Sequence, residues 1–321
     1  MLPLSDISVS GKTMSRIALG THLFGHENAN VCHSILEKYF SSGGNVIDTG
    51  RVYHGGESEY VIGDFLRKNG MSSKAVIITK GGNAALPDGT DVVLPGSRVN
   101  AKCIEEDIKI SIDALGSENI DIYFVHKDNP ETTVDEIIEV LNKYIKNGSL
   151  RHIGASNWTS ARIAEANAYA AEHGLQPFEF SELAFSLKKN STESWGAAEG
   201  ALEMEKTDFD WYRESGMPVL GYNPQAYGFF YRPDAENGAS AENSEILRRF
   251  RKICSERGLT AGECLFGFYA GCGIREIPIV STMNPDHLRD LIDKSYKTHD
   301  VEDVKYLLEA RFGGKLTPDA K

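Results

Sequence analysis

Eight short apolar runs recur along the chain, each followed by a longer stretch of helical period, and few architectures accept that alternation. The runs are IAL at 17–19, NVI at 45–47, VIIT at 76–79, IDIYFV at 120–125, HIGA at 152–155, FEF at 178–180, PVLG at 218–221 and IPIV at 277–280. Their near-continuous apolarity and β-branched content suit strands covered on both faces, as parallel strands with helical crossovers are.

The intervening segments predict helices over 30–42, 57–68, 100–115, 133–148, 160–172, 243–257 and 261–270, with one more over 301–311 packed outside. The clearest is 133–148. There Val134, Ile137, Ile138, Leu141, Tyr144 and Ile145 share a face opposite Glu136, Glu139, Lys143 and Lys146. Thr133 with Glu136 has the spacing of a capping box, and Gly148 stops the helix.

Strand and helix in alternation fit a closed barrel or an open doubly wound sheet. The turn after the first strand, GTHLFG, lacks the GxGxxG of a dinucleotide-binding sheet, which favours an α/β (β/α)8 TIM barrel. No linker rich in Pro, Gly or Ser divides the chain, so one domain is expected over 1–321. Segments 81–99, 187–207 and 229–241 are expected as long loops over one end.

A net charge of -12 opposes a nucleic-acid surface, which needs a concentrated basic field. No apolar run approaches the roughly 20 residues that span a bilayer, and MLPLSDISVSGK has no signal-peptide pattern, so a cytoplasmic protein without membrane contact is expected. The five cysteines form no CxxC pair and are expected as reduced thiols. No His/Cys cluster at ligand spacing predicts a metal.

Reactive groups in such a barrel stand at the C-terminal ends of strands. Asp48 ends the second run, Tyr53 follows five residues later, Lys80 ends the third and His126 the fourth. Singly, each has an ordinary reading as a cap, a surface group or a satisfied core residue. Together they suit proton transfer. A phenol has a free pKa of about 10 and is a poor acid unless a cation favours the phenolate. Lys80 can supply that cation, Asp48 its counter-ion, and His126 a hydrogen bond to the oxygen that Tyr53 protonates.

These segments resemble the aldo-keto reductase family over nearly the whole chain. NVIDTGRVYHGGESEYVIG is similar to the signature around its aspartate and tyrosine, IITK to its lysine strand, and LGSENIDIYFVH to the approach to its histidine. The resemblance implies hydride transfer between a nicotinamide and an aldehyde, ketone or sugar-like carbonyl, with Asp48, Tyr53, Lys80 and His126 catalytic. IGASN implies that Ser156 and Asn157 hold the nicotinamide carboxamide. GYNPQAYG implies that Tyr222 stacks on the ring and that Asn223 and Gln225 border the pyrophosphate; Thr21 is assigned to the cofactor as well.

Two positions depart from the family. Glu182 stands where glutamine is usual, and an ionised carboxylate cannot donate a hydrogen bond back to the carboxamide. In IVSTMNPDHLRDL, Ser281, Thr282 and His287 replace the usual fixed cations at the 2'-phosphate, which leaves NADP or NAD open, while Asp290 matches an adenine contact. His22, Lys127 and Trp158 are expected at the pocket mouth, a polar lining for a carbonyl or polyol substrate. Two other readings compete: a nicotinamide-nucleotide-sensing regulatory subunit with little turnover, and an aldolase using Lys80 as a Schiff base.

Overall fold

In a computed structural model, residues 1–83, 97–190, 200–294 and 300–313 are described, without the side chains of 289, 290, 293 and 294. The first two strands form an antiparallel hairpin, β1 (Leu4–Val9) and β2 (Lys12–Ser15). Eight parallel strands then close on themselves: β3 (Ala18–Gly20), β4 (Val46–Asp48), β5 (Val76–Gly81), β6 (Ile120–Val125), β7 (Leu150–Ser156), β8 (Phe180–Ala184), β9 (Val219–Tyr222) and β10 (Glu276–Val280). Strand β10 pairs with both β9 and β3, which shuts the barrel.

The crossovers carry α1 (Ala29–Ser41), α2 (Glu57–Lys68), α3 (Ala101–Leu115), α4 (Val134–Lys146), α5 (Ser160–Glu172), α6 (Lys206–Ser215), α7 (Ala241–Arg257) and α8 (Ala261–Gly271). Helices α9 (Pro285–Lys294) and α10 (Val301–Phe312) follow the last strand. No helix among the described residues is long and apolar enough to cross a membrane, and all five cysteines are free thiols.

All eight predicted runs became barrel strands. One is displaced: the run at 178–180 precedes most of β8, because Ser181 and Glu182 interrupt the apolar pattern although both are buried. Thr133 does cap α4, yet without a side-chain bond. Glu136 instead accepts the backbone N–H of Ala101 at 2.8 Å, tying α4 to the start of α3. The segment 187–207 is a loop only in part, since α6 begins at Lys206; residues 84–96 and 191–199 of the expected loops lie outside the described residues.

The hairpin was not anticipated. Ser10 and Gly11 both adopt left-handed φ, 52° and 77°, in the two-residue turn between paired Val9 and Lys12. Ile7, Val9 and Met14 pack into one cluster with inward-facing Ala18, Val46, Val76, Ile122 and Ile277, so the hairpin stops the lower end of the barrel. Buried apolar residues on alternate positions of the same strands, such as Leu19, Ile47, Ile77, Tyr123 and Ile153, pack in a second cluster with the helices.

Candidate active site

The inward-facing positions repeat every two residues, and the polar site is their next step upward. Val46 is followed by Asp48, Ile78 by Lys80, Phe124 by His126, Phe180 by Glu182, Leu220 by Tyr222 and Ile279 by Ser281. Six strands therefore bring a layer of functional groups over one apolar plug.

Lys80 is the centre of that layer and is fully buried. Its ammonium donates to Asp48 Oδ1 at 2.5 Å, to the carbonyl of Thr49 at 2.9 Å and to the Tyr53 hydroxyl at 3.0 Å. Glu182 Oε2 lies 3.4 Å away on the other side. Burial opposes the charge on Lys80, but Asp48, Glu182 and Tyr53 outweigh it and hold the pKa above the usual lysine range. The backbone of Asp48 is fixed from below: its carbonyl accepts both the N–H and the hydroxyl of Thr21.

His126 faces the Tyr53 ring edge-on, with centroids 5.6 Å apart. Burial, then the charges of Lys80 and Lys127, push its pKa well below the ordinary value, so the ring is neutral. Asn83 Nδ2 stands 3.4 Å from Nδ1; with that amide donating, Nδ1 is the acceptor and Nε2 carries the proton. His22, exposed, lies edge-on to Tyr53 at 6.3 Å and touches Ser281 Oγ at 3.3 Å across the seam that closes the barrel.

An acidic Tyr53, expected from its sequence neighbours, is not what the charges produce. Burial raises its pKa, Lys80 pulls it back, and Asp48 and Glu182 raise it again, with a net shift upward. Tyr53 is a neutral phenol with its proton in place.

The cofactor candidates divide. Asn157 takes a left-handed conformation, φ 59°, which asparagine tolerates. Its amide N–H groups go to the His126 carbonyl and Ser156 Oγ, both at 3.1 Å; its oxygen accepts from Leu202 N at 3.0 Å and the Tyr222 hydroxyl at 2.7 Å. Asn157 is thus a clamp between β6, β9 and the segment before α6. Thr21 is likewise engaged: its hydroxyl is fully buried against the Asp48 carbonyl and Ser58 Oγ, so it supports the aspartate. Trp158 is closely packed. It follows the left-handed turn at Asn157, is 1% exposed, packs on Phe178 at 5.3 Å and lies under the Arg162 guanidinium.

The remaining groups line the rim. Asn223 Nδ2, beside half-buried Tyr222, is a buried donor with no acceptor among the described residues. Gln225 reaches Tyr231 at 3.5 Å. Ser281 follows β10, Thr282 Oγ1 accepts the N–H of Asn284 at the start of α9, and His287 is exposed on that helix. Lys127 is half-buried at the rim. The side chain of Asp290 lies outside the described residues.

An eight-stranded barrel whose upper layer joins a phenol, an ammonium, a carboxylate and a neutral imidazole defines an oxidoreductase of the barrel class. The profile of the aldo/keto reductase family matches residues 16–311, and the chain belongs to that family. It is 25% identical over 320 residues to an aryl-alcohol dehydrogenase of Pestalotiopsis microspora, covering 95% of this chain and 79% of the relative. Norsolorinic acid reductase B of Dothistroma septosporum is 25% identical over 305 residues, 90% of this chain and 75% of the relative. The norsolorinic acid reductase of Aspergillus flavus is 28% identical over 180 residues, 53% of this chain and 46% of the relative.

Proposed function

We propose that this chain reduces the carbonyl of a small aldehyde, ketone or sugar-like molecule, and oxidises the alcohol in reverse, with Tyr53 as the general acid and base. The observation that carries the reading is the 3.0 Å bond from Lys80 to the Tyr53 hydroxyl, beside a neutral His126.

When bound, NADP or NAD supplies the hydride at the carbonyl carbon. Tyr222, Asn223 and Ser156 would hold its nicotinamide end, and the unpartnered Asn223 amide fits an acceptor there; Gln225, Ser281, Thr282 and His287 would border the rest. His126 orients the carbonyl oxygen through Nε2–H. As hydride arrives, that oxygen becomes far more basic than a phenolate, so Tyr53 gives up its proton without needing a low resting pKa. The phenolate left behind keeps its hydrogen bond from Lys80, whose charge Asp48 balances.

The relatives' names bring aromatic alcohols and norsolorinic acid into range, but the polar rim at His22 and Lys127 favours a carbonyl or polyol carrying polar groups. Stopped-flow oxidation of NADPH or NADH by a panel of such carbonyls tests the reading. Rapid oxidation in a single turnover supports it. Tight binding of the nucleotide with no oxidation across the panel would mark a sensor instead.

A further inference from the structure

The ammonium of Lys80 has three protons, and all are committed: to Asp48, to the Thr49 carbonyl and to Tyr53. Glu182 Oε2 pairs with the same nitrogen only at a longer 3.4 Å and, among the described residues, accepts no hydrogen bond of ordinary geometry. Its other oxygen receives a long bond, 3.4 Å, from the Ser156 hydroxyl. Two carboxyl side chains, 4% and 3% exposed, thus stand around one ammonium, and Asp48 is the one bonded to it closely.

An ionised carboxylate buried without a donor is one of the costlier arrangements a protein can hold. A neutral carboxylic acid removes that cost, because its O–H becomes a donor and the adjacent Asp48 carboxylate an acceptor. We propose that Glu182 is held as a neutral carboxylic acid hydrogen-bonded to Asp48, a positioning residue that keeps one negative charge against the one positive charge of Lys80.

The groups that face Glu182 agree. Asp48 comes from β4, Tyr53 from the loop after it, Lys80 from β5, the hydroxyl of Ser156 from β7 and Tyr222 from β9. Among them Lys80 alone is positive; burial raises both carboxyls, and Asp48, bonded directly to the ammonium, is the one held ionised. Burial, then the charge of Asp48, push the carboxyl up to about 8. A neutral acid both donates and accepts, as the amide usual at this position does, so the glutamate adds no second charge to the site.

The consequence for turnover rests on the carbonyl reduction proposed above. Once Glu182 ionises, a second anion faces the Tyr53 phenol and disfavours the phenolate that proton donation leaves behind. Reduction then slows as pH rises through about 8, the value to which the Glu182 carboxyl is raised.

Infrared spectroscopy of the cofactor-free chain tests the protonation directly. Glu59 and Glu276 are also buried and raised, so the readout is the spectrum of wild type minus that of Glu182→Gln near neutral pH. The expected difference is a protonated-carboxyl band present in wild type, absent in the variant, and lost on alkaline titration. Asp48→Asn provides a second variant: with no other anion to match Lys80, Glu182 should ionise and the band should again be lost. A difference spectrum without that band in either folded variant overturns the proposal, whether or not the chain reduces any carbonyl. In turnover, the alkaline fall of kcat should be absent from Glu182→Gln; a fall that persists unchanged overturns the positioning role.

Discussion

The hydroxyl of Tyr53 and the ammonium of Lys80 meet at 3.0 Å, although one residue lies in the loop after β4 and the other in β5. Residue 51 explains the meeting, because its N–H is bonded to the Lys80 carbonyl at 2.9 Å and holds the Tyr53 loop against the neighbouring strand. Removing the phenol hydroxyl should therefore leave the loop in place. Tyr53→Phe is expected to lower kcat about 10²–10⁴-fold, the usual range for a lost general acid. Fluorescence titration should show nicotinamide-nucleotide affinity nearly unchanged, and retained turnover would refute the assignment.

Lys80→Met should act on stability as well as on rate. It leaves the Asp48 carboxylate in a water-poor layer without its counter-ion, and breaking a buried pair from one side typically costs about 3–5 kcal/mol. Urea denaturation should show that loss. The double variant Lys80→Met with Asp48→Asn should recover part of it, since the stranded charge is removed.

Tyr222→Phe isolates the clamp. The ring remains, but the 2.7 Å bond to Asn157 Oδ1 is lost, a change of about 1 kcal/mol for a typical hydrogen bond. Nucleotide affinity should weaken less than about tenfold by that measure, whereas Tyr222→Ala should weaken it more. Equal effects of the two substitutions on the dissociation constant would show that the ring itself contributes nothing.

Glu276 gives a test at the other end of β10. Both of its carboxyl oxygens are buried without hydrogen-bond partners among the described residues, and burial raises its pKa well above the ordinary 4.5. A raised folded pKa means that the folded chain binds the proton more tightly. The stability is then fully present below the unfolded value and is lost as pH rises through the folded one. Thermal midpoints of wild type should fall from mildly acidic to alkaline pH more steeply than those of Glu276→Gln. Parallel curves would remove the claim.

The alternation of 2.0- and 3.6-residue periods is written locally, so the eight barrel strands and eight of the helices were legible from residues alone. Less legible were features whose signal is weak or shared. The hairpin at 4–15 rests on the Ser10–Gly11 turn and a few apolar residues that look ordinary until they are seen closing the barrel. Helix α6 has only Phe209 and Tyr212 buried, too thin a stripe to stand out. At the site, residue types at strand ends pointed to Asp48, Tyr53, Lys80 and His126, but not to the neutral, high-pKa state of Tyr53. That state depends on burial and on Glu182, which sits 102 positions from Lys80 in the chain.

By itself the sequence determined the eight barrel strands, eight of the helices, their alternation along the chain and the residue types that end several strands, because periodicity and strand alternation are properties of near neighbours. Only the tertiary structure decided how those groups divide their protons. Lys80 has three to give, and closure of the barrel allots them to Asp48, Thr49 and Tyr53 while Glu182 stays at a longer 3.4 Å. The same closure packs Trp158 on Phe178 and ties Asn157 to its neighbours. Hydrogen-bond allotment depends on distances across strands, and no spacing along the chain encodes it.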